Sequence, residues 1–197
     1  MPKTIQRELA AILFADIVGF SSIMANNENN ALKIIKLLDE IISSIINKSD
    51  GKIVKKLGDG YLIKFNSSVD AVESSIAIQE IIDKKSAQID NLKLRIGIHI
   101  GDIIIEGEDV MGDGVNIASR VEGFAEPGGI CMTQAVYQSV KSNIKIEVKE
   151  KGKVELKNIV DKYHLYKYPK INQEENTDKS TYNDDSLNEE KKIRISS

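Results

Sequence analysis

An α/β (α+β) fold of βαββαβ order, a ferredoxin-like sandwich with a C-terminal β extension, is predicted by three features of the 197-residue sequence. The first is a near-continuous apolar run, Leu9 to Ala15, which has the character of a central strand buried on both faces. The second is a pair of short β-rich runs separated only by Gly58-Asp59-Gly60, the strongest short-range hairpin signal. The third is the placement of segments with helical periodicity after the first strand and again after the hairpin. In this topology helices cover one face of the sheet, and a partner subunit is the natural cover for the other.

The first strand ends in Asp16, followed by Ile17-Val18-Gly19-Phe20-Ser21-Ser22, where strand should give way to helix. A charge inside an apolar strand is tolerated when it is paired or coordinates a metal. Asp16 therefore has two open roles: a carboxylate ligand, or a polar group at a solvated strand end that caps the turn.

Beyond the polar stretch MANNENN, Ala31, Ile34, Ile35, Leu38, Ile41, Ile42, Ile45 and Ile46 recur at steps of three and four, predicting a long amphipathic helix that stops before Asp50-Gly51. KIVKKL (52–57) and YLIKF (61–65) are the hairpin strands. Ser67 and Asp70 have the spacing of a capping box and open a second helix carrying Val72, Ile76 and Ile82.

LKLRIGIHIGDIIIEG (92–107) is a long strand with a bend expected at Gly101. DVMGDGVNIASRVEGF follows, helical in its latter part, with Asp113 as expected N-cap and Gly123 near the end. Pro127-Gly128-Gly129 turns the chain, ICMT is a short strand and QAVYQSVKS a short helix. Two edge strands are expected at IKIEVKE and at the YHLYKY end. From 169 to 197 the composition is polar and core-poor, reading as a disordered tail or linker to the domain at 1–168.

Composition narrows the function classes. A net charge of -3 gives no basic excess to track nucleic-acid phosphates. The single Cys131 excludes an internal disulfide, fits a reducing compartment, and lies among apolar neighbours as a small buried side chain. No apolar run approaches the roughly 18 residues of a membrane span. The start, MPKTIQRE, lacks a signal-peptide core, so a cytoplasmic location is expected.

Asp59 is favoured in a tight turn for backbone reasons alone. In the βαββαβ order, however, the first strand neighbours the hairpin, and Asp16 and Asp59 can converge at one edge. Two carboxylates without a nearby histidine or thiol suit Mg²⁺ or Mn²⁺. The amides of Val18, Gly19 and Phe20 at a helix start are candidates to cradle phosphate oxygens. Asn116 and Arg120, four apart on a helix, project together opposite Val115, Ala118 and Val121. Such a pair can orient a ribose and stabilise charge at phosphorus; alternatively Arg120 is solvated or pairs with Asp113 or Glu122. His99 and His164 have no ligand-spaced companion and read as structural.

FADIVGF, KKLGDG and DVMGDGVNIASR, in order and at similar separations, resemble the three signature segments of the class III nucleotidyl cyclase catalytic domain. The likeness runs over roughly residues 8–168, includes AEPGGICMT and LKNI, and is strongest to the bacterial subgroup with a short connection before the third segment. By that resemblance Asp16 and Asp59 hold two Mg²⁺ or Mn²⁺ ions per site, and Ile17 lends a backbone carbonyl. Lys55 and Asp109 recognise adenine, Asn116 orients the ribose, Arg120 stabilises the transition state, and Lys157 contacts the triphosphate. The two aspartates come from one subunit and the other residues from its partner, so a head-to-tail homodimer holds two composite sites. The implied activity is adenylate cyclase, making 3′,5′-cyclic AMP and pyrophosphate from ATP.

Strand alternation puts Lys55 on the side of Ile53 and Leu57, and Lys56 on the side of Val54; only the family spacing selects Lys55. A Lys donor with an Asp acceptor complements the edge of adenine, whereas guanine presents the reversed pattern. The alternatives are a catalytically weak or inactive nucleotide-binding regulatory module of the same fold, a guanylate cyclase, and a polymerase-like or diguanylate-forming domain. The last lacks a counterpart of the DVxGDxVNxxxR segment.

Overall fold

The computed structural model of the chain describes residues 5–86, 89, 92–107 and 109–169; the expected tail from 170 onward lies outside them. The elements run β1 (Ile5–Ile17), α1 (Phe20–Asn26), α2 (Glu28–Ile46), β2 (Gly51–Leu57), β3 (Gly60–Phe65), α3 (Ser68–Lys85), β4 (Leu94–Glu106), β5 (Asp109–Met111), α4 (Asp113–Glu122), β6 (Ile130–Thr133), α5 (Gln134–Val140), β7 (Lys149–Glu155) and β8 (Lys162–Tyr168). The sheet order is β2-β3-β1-β4-β6-β8-β7, with β5 folded back on β4. Its first four members have the expected ferredoxin-like order, and β6, β8 and β7 form the C-terminal extension.

β1 is central because both of its faces are apolar. Ala11, Leu13, Ala15 and Ile17 point to one side, where with Ile96 and Ile98 of β4 they meet Ile34, Leu38, Ile42 and Ile46 of α2 and the inner faces of α3 and α5. Each fully buried Leu or Ile of this layer contributes roughly 1.5–3 kcal/mol. Ala10 and Ile12 point the other way, onto Ile103, Val110 and Ala118. That second face was expected to await a partner; α4 and β5 cover much of it within the chain, because α4 places Ala118 and Val121 inward.

Gly97 allows the close approach of α4. A Cβ there would collide with the Glu122 backbone and stand 2.7 Å from the Ala118 carbonyl oxygen. Neither neighbour is a flexible side chain. Gly97→Ala should therefore cost roughly 3 kcal/mol of stability, read as a lower urea midpoint; an unchanged midpoint would mean that α4 does not sit this close to β4.

Local chemistry sets several boundaries. Asn27 ends α1 and caps α2, its side chain accepting from the Asn30 N–H at 3.0 Å. Ser67 accepts from the Asp70 N–H at 3.3 Å, forming one half of the predicted capping box. Asp113 is the first residue of α4 rather than its cap, a position taken by Gly112 at φ 120°. β4 shows no break at Gly101: its pairing with β1 is continuous from Ile5↔Glu106 to Ile17↔Leu94. The glycine is needed for space, since a Cβ would lie 2.8 Å from His99 Nε2. β7 begins at Lys149, not at Ile144, and β8 lies inside the sheet between β6 and β7 rather than at an edge. The true edges, β2 and β7, carry Lys52, Lys55 and Lys56, and Lys149, Lys151 and Lys153, charges that discourage strand addition.

Candidate active site

Asp16 ends β1 on the α4 side of the sheet, in line with Ala10 and Ile12. Asp59 occupies the two-residue turn Gly58-Asp59, closed by the Leu57↔Gly60 pair with Gly58 at φ 68°. Because β3 pairs directly with β1, the turn reaches the end of β1, and the two carboxyl groups share a hydrogen bond. Burial, then that hydrogen bond and the charge of Asp59, push Asp16 up to about 6; a hydrogen bond from the Ile17 backbone and the charge of Arg95 act against the rise. Two facing carboxylates beside a backbone carbonyl form an oxygen set suited to Mg²⁺ or Mn²⁺, which retain water and recruit substrate phosphate as further ligands. Among the described residues no cluster of three His, Cys, Asp or Glu groups forms a closed metal cage.

Beside this pair the chain turns through Gly19, at φ 70°, into α1. The Val18 N–H already donates to the Lys93 carbonyl at 3.0 Å, so of the three amides expected to cradle phosphate, those of Gly19 and Phe20 are the ones left for an anion.

A β-bulge gives Lys55 and Lys56 different surroundings from those that strict alternation predicts. The register of β2 on β3 shifts between Ile53 and Lys55, and Lys55, not Lys56, stands opposite Leu62. Lys56 turns to the α2 side, pairing with Asp39 at 2.7 Å and lying 5.8 Å from the centre of the Tyr61 ring. Lys55 instead lies 3.7 Å from Asp109 on β5. Both side chains of that pair are about half exposed, so its worth to stability is at most about 1 kcal/mol.

Asn116, Arg120 and Lys157 share a cavity of about 490 Å³ between α4 and the loop before β8, with Asp113, Asp161 and Tyr163 also in its wall. Tyr163 meets His99 edge to face at 5.7 Å, and His99 Nδ1 lies 3.0 Å from Thr133 Oγ1. Burial drives His99 down to about 4, keeping it neutral in a structural role. Cys131 is fully buried, its thiol raised to about 12 by burial, in keeping with an inert side chain. The lining of the Asn116–Arg120–Lys157 cavity includes none of Asp16, Asp59, Lys55 or Asp109.

Two residues beside the acidic pair were not assigned to it in the sequence, where Glu122 entered only as an alternative partner of Arg120. Arg95 stands directly across from Asp16 in the β1–β4 pairing, and its buried Nε has no hydrogen-bond partner. Glu122, the last residue of α4, is raised to about 7 by burial and by the charge of Asp16, with Arg95 opposing and Asp59 adding to the rise. The available signal was the alternation in LRIGIH, which puts Arg95 on the face of Gly97 and His99.

The raised values have a cost in the cation-free protein. Asp16 and Glu122 bind protons more tightly folded than unfolded, so their contribution is present below their unfolded values, 3.8 and 4.5, and is lost as pH rises toward about 6 and 7. His99, held low, acts oppositely between about 4 and its unfolded 6.5, so the effect is best read as a difference between variants. Cation-free Asp16→Asn should be more stable than the parent near neutral pH, by on the order of 1 kcal/mol after solvent screening. The advantage should fade below about pH 5; equal melting temperatures throughout would show that the fold does not disfavour the ionised Asp16 carboxylate.

The sequence profile described as Adenylate and Guanylate cyclase catalytic domain matches residues 3–169. The chain belongs to this cyclase family. The cyclase domain is 34% identical over 168 residues to "Putative adenylate cyclase 3" of Rhizobium meliloti (strain 1021), covering 83% of this chain and 29% of that protein. It is 28% identical to the receptor-type guanylate cyclase gcy-23 of Caenorhabditis elegans, over 74% of this chain and 16% of that one. The cyclase domain thus spans less than a third of the length of these two curated relatives. Among solved structures, an adenylate/guanylate cyclase/hydrolase from Silicibacter pomeroyi superimposes with a TM-score of 0.78 at 34% identity, over 83% of this chain and 98% of that one. The adenylyl cyclase CyaB from P. aeruginosa, at 24% identity, shares the fold with a TM-score of 0.76 over 83% of this chain and 95% of that one. No helix of the described cyclase residues is long and apolar enough to cross a membrane.

Proposed function

We propose that this domain is an adenylate cyclase, converting ATP to 3′,5′-cyclic AMP and pyrophosphate in a site that two copies of the chain complete together. The observation that carries the substrate choice is the approach of Lys55 to Asp109 across the β2 bulge. The pair adds little to stability, and its donor and acceptor match the ring nitrogen and exocyclic amine of adenine. The head-to-tail homodimer is supported by the location of Asn116, Arg120 and Lys157, whose cavity leaves out the acidic pair of the same chain.

In this reading Asp16, Asp59 and the Ile17 carbonyl hold two divalent ions, Mg²⁺ or Mn²⁺, which when bound supply charge neutralisation at the triphosphate and lower the pKa of the attacking hydroxyl. Asn116 fixes the ribose so that its 3′ oxygen lies in line with the α-phosphorus. Arg120 meets the negative charge that grows on the phosphoryl oxygens as the new ester bond forms and the bond to pyrophosphate breaks. Lys157, in the same cavity, binds the departing phosphates, and the amides of Gly19 and Phe20 add donors.

Incubating the purified chain with ATP, and separately with GTP, in Mg²⁺ or Mn²⁺ tests the proposal through the mass of the product. Cyclic AMP from ATP is expected. Cyclic GMP alone would make the domain a guanylate cyclase, and nucleotide binding without cyclic product would make it a regulatory module.

A further inference from the structure

Two adjacent lysines of β2 end on opposite faces of the sheet, and the pairing at either side leaves open which goes where. Ile53 faces Ile63 against the core on the α2 side, and Leu57 faces Gly60 at the Gly58-Asp59 turn. Between these pairs β2 has three residues, Val54, Lys55 and Lys56, against two of β3, Leu62 and Tyr61. One of the three must be the extra residue of the bulge. It is Val54, so Lys55 stands opposite Leu62 and Lys56 opposite Tyr61. Were the extra residue Lys56, both flanking pairs would survive, and Lys55 would stand opposite Tyr61 on the α2 side.

The side chains decide between the two arrangements. Tyr61 is buried, and its hydroxyl donates to Asp39 of α2. The same Asp39 oxygen lies 2.7 Å from Lys56 Nζ, which also stands 5.8 Å from the centre of the Tyr61 ring. A lysine facing Tyr61 thus gains a carboxylate and an aromatic ring together. The rival partner, Asp109, offers less, since Lys55 Nζ lies 3.7 Å from it and both side chains are about half exposed. Without the Lys56 charge, Asp39 would draw in the neighbouring Lys55, and the bulge would move by two residues. We infer that Lys56 is a positioning residue for base recognition: it satisfies Asp39, holds the extra residue of β2 at Val54, and so keeps Lys55 on the face of Asp109.

This inference rests on the reading of Lys55 and Asp109 as the base-reading pair, and measuring register and selectivity separately distinguishes the failure of one from the failure of the other. Register is read from the cross-strand nuclear Overhauser contacts of the Lys55 backbone, selectivity from kcat and KM for ATP and GTP. In the parent, Lys55 should contact Leu62. In Lys56→Met, whose apolar stem still covers the Tyr61 ring, it should contact Tyr61 instead. KM for ATP should then rise about tenfold with kcat changed less than about twofold, and the preference for ATP over GTP should fall about tenfold. Adding Asp39→Asn, which still accepts from Tyr61 but carries no charge, should restore the contact with Leu62 and bring KM and preference to within about threefold of the parent. A Lys56→Met protein that keeps Lys55 opposite Leu62, or a double variant that stays impaired, overturns the inference, because a merely structural loss is not repaired by a second lesion on its partner. A shifted register with unchanged ATP preference would instead overturn the base-reading assignment. Thermal unfolding of each protein checks the fold, and if Lys56→Met does not fold, Lys56→Gln takes its place with the same expected pattern.

Discussion

Mixing two inactive variants, Asp16→Ala and Arg120→Ala, should restore about one quarter of the parent activity. Each alone should lose at least about a hundredfold in kcat, the first by removing a cation ligand and the second by removing a charge-stabilising donor. If the site is composite, a heterodimer places both lesions in one of its two sites and leaves the other intact. Random pairing makes half of the dimers mixed, each with one good site of two, hence about a quarter of all sites. Activity that stays at background while tagged heterodimers are demonstrably present would mean that one chain builds the whole site.

Replacing Lys55 by Glu and Asp109 by Cys should reverse the choice of base. A site built to hydrogen-bond one pattern rejects the reversed pattern strongly, because its buried donors and acceptors are left unpaired once the ligand excludes water. Loss of at least about a hundredfold in kcat/KM for ATP is expected, with GTP becoming the better substrate. Because the pair is half exposed, unfolding stability should change by less than about 0.5 kcal/mol, which separates a specificity effect from damage to the fold. Unchanged ATP selectivity would remove Lys55 and Asp109 from the base pocket, and Lys56, tied to Asp39 on α2, offers no obvious substitute.

The parts of this molecule legible in the sequence are those in which local pattern and global fold agree. The unbroken apolar run of β1, the Gly58-Asp59-Gly60 punctuation and the three-four spacing of α2 each specify an element without knowledge of its neighbours, and together they order the first four strands. The family motifs then pointed to Asp16 and Asp59, which the β1–β3 pairing brings together, and to Asn116, Arg120 and Lys157, which share one cavity. What stayed hidden is nonlocal. Alternation failed at Lys55 because a bulge is an insertion relative to the partner strand, and one strand read alone has nothing to be inserted against. Arg95 looked like one charge in a strand; only the register, Asp16↔Arg95, makes it a neighbour of the site. Gly101 suggested a bend because glycine serves both curvature and close approach, and here the His99 ring requires the second. The covering of the sheet's second face by α4 depended on Gly97 lying beneath Glu122, a contact between residues 25 apart in sequence.

That contact has a consequence for how this protein can change. Asn116 and Arg120 lie toward the cavity wall while Glu122, at the end of the same ten-residue helix, is pressed against β4 beside the acidic pair. α4 thus borders the Asn116–Arg120 cavity along its length and packs on β4 at its end. One helix acts as a party wall between the cavity and the sheet, and a change that displaces α4 reshapes both the cavity wall and the packing over Gly97.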